Sequence, residues 1–121
     1  MPEGGSAMDR ESVVAYLRDC EISEMGSGVR IWSISGQNIT VSYVELQPSA
    51  ITDSHRHRNE QINYILQGSV EAIVGDENRT RHALKPGDVI VLSPNSRHQF
   101  RTVGSEVASM IGVLSPARKK V

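Results

Sequence analysis

The chain has 121 residues, a formal net charge of -1 and 38% hydrophobic residues, enough for one domain with one core. That charge gives no basis for broad electrostatic binding to nucleic acid or an anionic membrane, and no apolar run approaches the ~18 residues a bilayer span needs. Cys20 is the only cysteine, which excludes an intramolecular disulfide and a thiolate zinc cluster.

In chain order, residues 1–8 are rich in Gly, Pro and Ser and predict a disordered leader ahead of a single domain over 9–121. The leader has neither a basic n-region nor an apolar h-region, so a cytoplasmic protein is expected. Residues 9–20, DRESVVAYLRDC, predict a short helix capped by Asp9, with Val13, Tyr16, Leu17 and Cys20 on one stripe. From residue 29 the texture changes to short runs rich in β-branched and aromatic residues: VRIWSIS, NITVSYVELQ, QINYILQ, SVEAIVG, VIVLS and VASMIGVL. Turn residues separate them, among them Gly36-Gln37-Asn38, Gly75-Asp76, Pro86-Gly87 and Pro94-Asn95. Short strands at close spacing predict an all-β sandwich or barrel, with no helical period to make βαβ units. VIVL is read as a buried strand and Trp32 as core.

The chemistry concentrates in HRHRNEQINYILQG, residues 55–68. In an extended segment residues two apart share a face, so His55 and His57 point one way and Arg56 and Arg58 the other. Two imidazoles on one face can chelate one divalent ion, although an isolated pair is as well explained by surface histidines. His98 opens a later strand, and antiparallel topology can bring it to the pair. His82 follows Arg81 in a polar segment and is expected to be exposed.

These two stretches resemble the cupin motifs. HRHRNEQINYILQG resembles the first, G(x)5HxH(x)3-4E(x)6G, and GDVIVLSPNSRHQF the second, G(x)5PxG(x)2H(x)3N. The chain departs from the motifs at Ser49, where the leading Gly would stand, at Ser93 and Asn95 in the second motif, and at Thr102. The motif Glu, counted back from Gly68, falls on Gln61 and not on Glu60; parity also groups Gln61 with the histidines. The resemblance implies a cupin-type double-stranded β-helix, a jelly-roll barrel. It also implies one divalent transition metal ion (Mn, Fe, Ni, Co or Zn) on His55, His57, Gln61 and His98.

EQINYILQG and VLSPAR are similar to the small cupins that open the ring of unsaturated uronates. Their D-x-F-S-P-x-R pattern falls on Gly112 to Arg118, with Gly112 and Leu114 replacing the Asp and Phe. The metal scaffold is shared, but the acid-base group is lost, since Gly has no proton to exchange. The expected function is a metal-dependent enzyme using Lewis-acid chemistry (isomerisation, tautomerisation, ring opening or elimination) on a small oxygenated, anionic substrate. An iron-dependent dioxygenase and a non-catalytic metal- or ligand-binding cupin are the alternatives. Arg97, Tyr64 and Arg118 are the candidates for acting on substrate, and Phe100 and Asn63 share the parity of the site. The apolar even face of QINYILQ predicts a homodimer.

Overall fold

The computed structural model describes residues 12–118. Nine strands run in chain order: β1 Ile22–Glu24, β2 Ser27–Ser35, β3 Thr40–Ile51, β4 Glu60–Gln67, β5 Ser69–Val74, β6 Thr80–Leu84, β7 Val89–Leu92, β8 His98–Val103 and β9 Ala108–Ser115. They pair antiparallel along the path β6-β5-β8-β3-β9-β4-β7, and β1 and β2 add to β3. The result is an all-β, nearly closed barrel. Strand β3 is long enough to serve both halves. Its first part pairs with β2 and β9, and its last residue, Ile51, pairs with Arg101 of β8. No helix among the described residues is long and apolar enough to cross a membrane.

Alternation builds the core. β3 over 40–46 and β4 over 61–65 bury every second residue, and Val44, Leu46, Ile65, Val70, Leu92, Phe100 and Met110 meet inside the barrel. Gly68 lets the chain pass from β4 into β5. Its φ is +77°, and a Cβ there would lie 2.6 Å from the Val107 carbonyl oxygen, which only glycine avoids.

The outward residues make two distinct surfaces. Across β2, β3, β9, β4 and β7, register aligns Trp32–Tyr43–Ile111–Tyr64–Val89 and, beside it, Ile34–Val41–Val113–Ile62–Val91. Ten large apolar side chains thus form two adjacent rows on one outer face. The other outer face, on β5, β6 and β8, carries paired arginines: Arg81 and Arg101 on Glu71, and Arg97 on Asp76. Arg56 joins them from the β3–β4 connection, also on Asp76.

Several expectations need correction. Over the described part of 9–20 there is no α-helix, only a 3-10 turn at Leu17–Asp19. Tyr16 before it is extended and makes no side-chain cap. Val13, Tyr16 and Leu17 are exposed, so no packing offsets the low helix propensity of the Val13-Val14 pair. The proposed cap Asp9, the leader at 1–8 and the basic end after Arg118 lie outside the described residues. β7 is not a buried strand: it stands at the end of the strand path, with Val89 and Val91 more than half exposed. Trp32 is not core; it lies on the outer face, beneath the Arg30 guanidinium. β1 and β6 were not anticipated. β6 (TRHAL) is a polar edge strand with almost no burial, so it lacks the apolar signal that marks the others.

Candidate metal centre

His55 and His57 lie on the connection between β3 and β4, not within a strand. A single antiparallel bridge holds it: His55 N–H donates to the His98 carbonyl at 3.1 Å and His98 N–H to the His55 carbonyl at 2.8 Å. The His57 carbonyl accepts from Asn95 N–H at 2.7 Å. Asn95 has a φ of +64°, which asparagine tolerates better than most residues. These bonds keep the segment extended enough for alternation to hold, so the imidazoles turn inward and Arg56 turns out. His98, the first residue of β8, is 1% exposed.

Each imidazole is oriented by its Nδ1, which faces a backbone carbonyl: Asp53 for His55 (2.9 Å), Asn59 for His57 (3.1 Å) and Ser96 for His98 (2.8 Å). A carbonyl can only accept, so each Nδ1 carries the proton and each Nε2 presents a lone pair. The ligand atoms of the three side chains lie within 4.8 Å of one another. Burial lowers the pKa of both His55 and His98, the latter to about 4. Both are therefore neutral at pH 7, the form a metal requires.

Gln61 completes the set. It faces inward on β4, between Leu114 of β9 and Leu92 of β7. Its Oε1 lies 2.9 Å from His57 Nε2. With the proton on Nδ1, that contact sets two acceptors face to face. That spacing fits two donors that would share one divalent ion. The buried His98 Nε2 has no partner within the protein, which fits the same ion. His55, His57 and His98 could thus hold a divalent transition metal, with the Gln61 Oε1 beside them as a further candidate donor.

Two of these residues, His55 and Gln61, line a cavity of about 770 Å³, walled chiefly by inward residues of β2, β3, β4 and β9. Its polar side carries hydroxyl pairs, Ser33 with Ser42 at 2.8 Å and Ser35 with Thr40 at 2.7 Å. Phe100, Met110 and Leu114 supply the apolar side. Arg118 lines the cavity, and its backbone N–H donates to Thr40 Oγ1 at 2.8 Å.

The other sequence candidates fall elsewhere. Tyr64 is 44% exposed on the apolar outer face. Arg97 turns out to Asp76 at 2.9 Å. Neither lines the cavity, so of the three residues expected to act on substrate only Arg118 does. Glu60 is exposed, as is His82. Sequence reasoning overlooked Ser33 and Ser42, although strand parity places both inward. It also overlooked Asn59, whose side chain donates to the Pro116 carbonyl at 2.5 Å and anchors the loop carrying His57. No local pattern signals that long-range contact.

Residues 42–114 match the family model described as "Cupin domain". No curated protein matches the chain. Among solved structures, an RmlC-like cupin from Shewanella frigidimarina is 20% identical with a TM-score of 0.75, covering 90% of this chain and 95% of that one. KdgF from Halomonas sp. is 21% identical with a TM-score of 0.70, covering 84% and 92%. A variant of Bacillus subtilis oxalate decarboxylase is 18% identical with a TM-score of 0.74, covering 88% of this chain and 31% of that protein.

Proposed function

We propose, for a chain that belongs to the cupin family, that it is a metal-dependent enzyme acting on a small, oxygenated, anionic molecule. The observation that carries this reading is the convergence of three imidazole lone pairs and the Gln61 Oε1 beside a cavity lined by His55, Gln61 and Arg118. A bound divalent ion would supply Lewis acidity toward a carbonyl, carboxylate or water oxygen. The chain's own residues set its charge balance. All four donors are neutral, so none of the ion's charge is cancelled by the protein, and an anionic substrate restores the balance. The Arg118 guanidinium adds to that attraction, and the serine and threonine hydroxyls offer partners to substrate oxygens. The apolar residues opposite limit water around the reacting end.

This balance favours isomerisation, tautomerisation, ring opening or elimination over oxidation, because a neutral fourth donor disfavours the trivalent state of a redox metal. Protein purified without added metal should carry about one divalent ion per chain by elemental analysis. Turnover should proceed without oxygen uptake at an electrode. Oxygen consumption stoichiometric with product would instead establish an iron-dependent dioxygenase, and ligand binding with no turnover a non-catalytic cupin.

We infer in addition that the chain pairs with a second copy through its apolar outer face. Six of the ten side chains in its two rows are 39–57% exposed, and isolated exposed residues do not account for a continuous face of this kind. Five strands at ~4.8 Å spacing make it about 24 Å wide. A two-fold pair covers such a face with its own copy.

A further inference from the structure

Asn63 follows Gln61 by two residues on β4 and shares its inward face. It is 1% exposed and lines the cavity. Its cross-strand partner on β9 is Gly112, and a Cβ at that position would stand 3.1 Å from Asn63 Nδ2. The missing side chain of Gly112 is what leaves room for the amide. Asn63 Oδ1 accepts from Gln61 Nε2 at 2.7 Å, but Asn63 Nδ2 has no partner within the protein. A buried amide donor is rarely left unmatched.

The direction of that donor follows from a chain of orientations that begins at the metal centre. His57 Nδ1 donates to the Asn59 carbonyl, so His57 Nε2 is a lone pair. The glutamine oxygen, and not its NH2, faces that lone pair, as it would if both held one cation. The Gln61 NH2 must then point along β4, where it selects the Asn63 oxygen as its acceptor. The Asn63 NH2 is left without a partner beside Gly112, both residues lining the cavity. Two side-chain amides thus connect the ion at one end to an unmatched N–H at the other.

We propose that Asn63 Nδ2 is a binding group for ligand, donating to an oxygen of a carboxylate or enolate held at the His55, His57, Gln61 and His98 centre. This inference rests on the metal-centre reading given under Proposed function. It narrows the ligand class to molecules with two neighbouring oxygens at one end, one toward the ion and one toward Asn63. An amide N–H in this position stabilises negative charge on oxygen without exchanging a proton.

The test uses Co²⁺ as the metal and oxalate as the ligand probe, with metal content read by elemental analysis and oxalate affinity by calorimetry. The Co²⁺-loaded wild type should bind oxalate. Asn63→Ala should retain one Co²⁺ per chain and bind oxalate roughly 10–100-fold more weakly, the usual effect of losing a hydrogen bond to a charged group. Gly112→Ala leaves Asn63 in the chain but crowds its Nδ2, and should weaken oxalate in the same direction with Co²⁺ content unchanged. Equal oxalate affinity in wild type and both variants, with Co²⁺ bound throughout, overturns the role of Asn63. So does a Co²⁺-loaded wild type that does not bind oxalate. A wild type that takes up no Co²⁺ overturns the metal-centre reading itself, and this inference with it.

Discussion

The two outer faces of the barrel obey the same alternation and reach opposite solutions. On β2, β3, β9, β4 and β7 the outward residues are aliphatic or aromatic and pair across five strands. On β5, β6 and β8 they include Arg81 and Arg101, which with Arg97 just before β8 are matched to acids within the chain. Glu71 takes Arg101 at 2.6 Å and Arg81 at 2.9 Å, and Asp76 takes Arg97 at 2.9 Å. The first face leaves apolar side chains partly exposed among the described residues; the second pairs its charges within the chain and suits water. The arginine face also reaches the metal centre. Arg56 lies between His55 and His57, Arg97 precedes His98, and both grip Asp76. One carboxylate therefore ties together, from outside, the two segments that carry the three histidines.

The largest effect is expected from breaking the apolar face. Light scattering at micromolar concentration should give twice the 13.3 kDa of one chain for the wild type, and the single-chain mass for Ile62→Lys, which places an unpaired charge in the middle of that surface. Arg81→Glu on the opposite face should leave the mass unchanged. A wild-type mass near one chain would refute the pairing.

The next effect separates the two regions by pH. In metal-free protein His98 has a pKa near 4, lowered chiefly by burial, against an ordinary value of 6.5. The unfolded chain therefore takes up the proton first. Stability falls as pH drops from about 6.5 through about 4, by up to about 3 kcal/mol for a shift of this size. The arginine face responds lower. Hydrogen bonds, from Arg101 first on Glu71 and from Arg97 first on Asp76, hold both carboxyls below their ordinary range. Their contribution is present above the ordinary carboxylate pKa and is lost only as pH falls through the depressed values. Urea unfolding at closely spaced pH should resolve a histidine-linked decline above the carboxylate one. His98→Gln should shrink the first to the part that His55 contributes and keep the second.

A smaller effect tests the link between face and centre. Asp76→Asn should weaken metal binding about 3–10-fold, a little below the usual range for residues that support ligands from behind. The melting temperature of metal-free protein should barely change, because exposed ion pairs contribute ~0–1 kcal/mol. Glu71→Gln, on the same face but away from the histidines, should leave metal affinity alone. Equal metal affinity in all three proteins would show that Asp76 does not position the centre.

The smallest effect lies where β3 leaves one face for the other. Ser49 has a φ of +68°, a left-handed conformation that disfavours side chains other than glycine's. Ser49→Gly should raise stability by about 0.5–1 kcal/mol in chemical unfolding. A loss of stability would mean that contacts of the serine side chain outweigh its backbone strain.

Much of this was legible in the chain itself. Period-two runs marked most of the strands, because a half-buried strand must alternate. Parity grouped His55, His57 and Gln61 and left Glu60 outside, and the structure places Glu60 at the surface. The bend at Arg58-Asn59 does not upset this, because pairing with β7 and β9 resets Gln61 inward. The helix over 9–20 failed because a stripe of Val, Tyr and Leu is only a reason to fold if a surface lies beneath it. β6 escaped notice because an exposed edge strand has no inside and so no alternation.

What the sequence determined by itself is what repeats along the chain: strand character, the side each residue takes, and the residue types able to hold a metal. Tertiary structure alone decided which sides meet. Strand order set Gly112 opposite Asn63 and left that amide unmatched. It also carried Arg97 and Tyr64 away from the cavity and brought Asp76 to two arginines twenty residues apart or more. Alternation is local, governed by backbone geometry over two residues, whereas these pairings depend on register between strands distant in the chain. No local pattern contains that register.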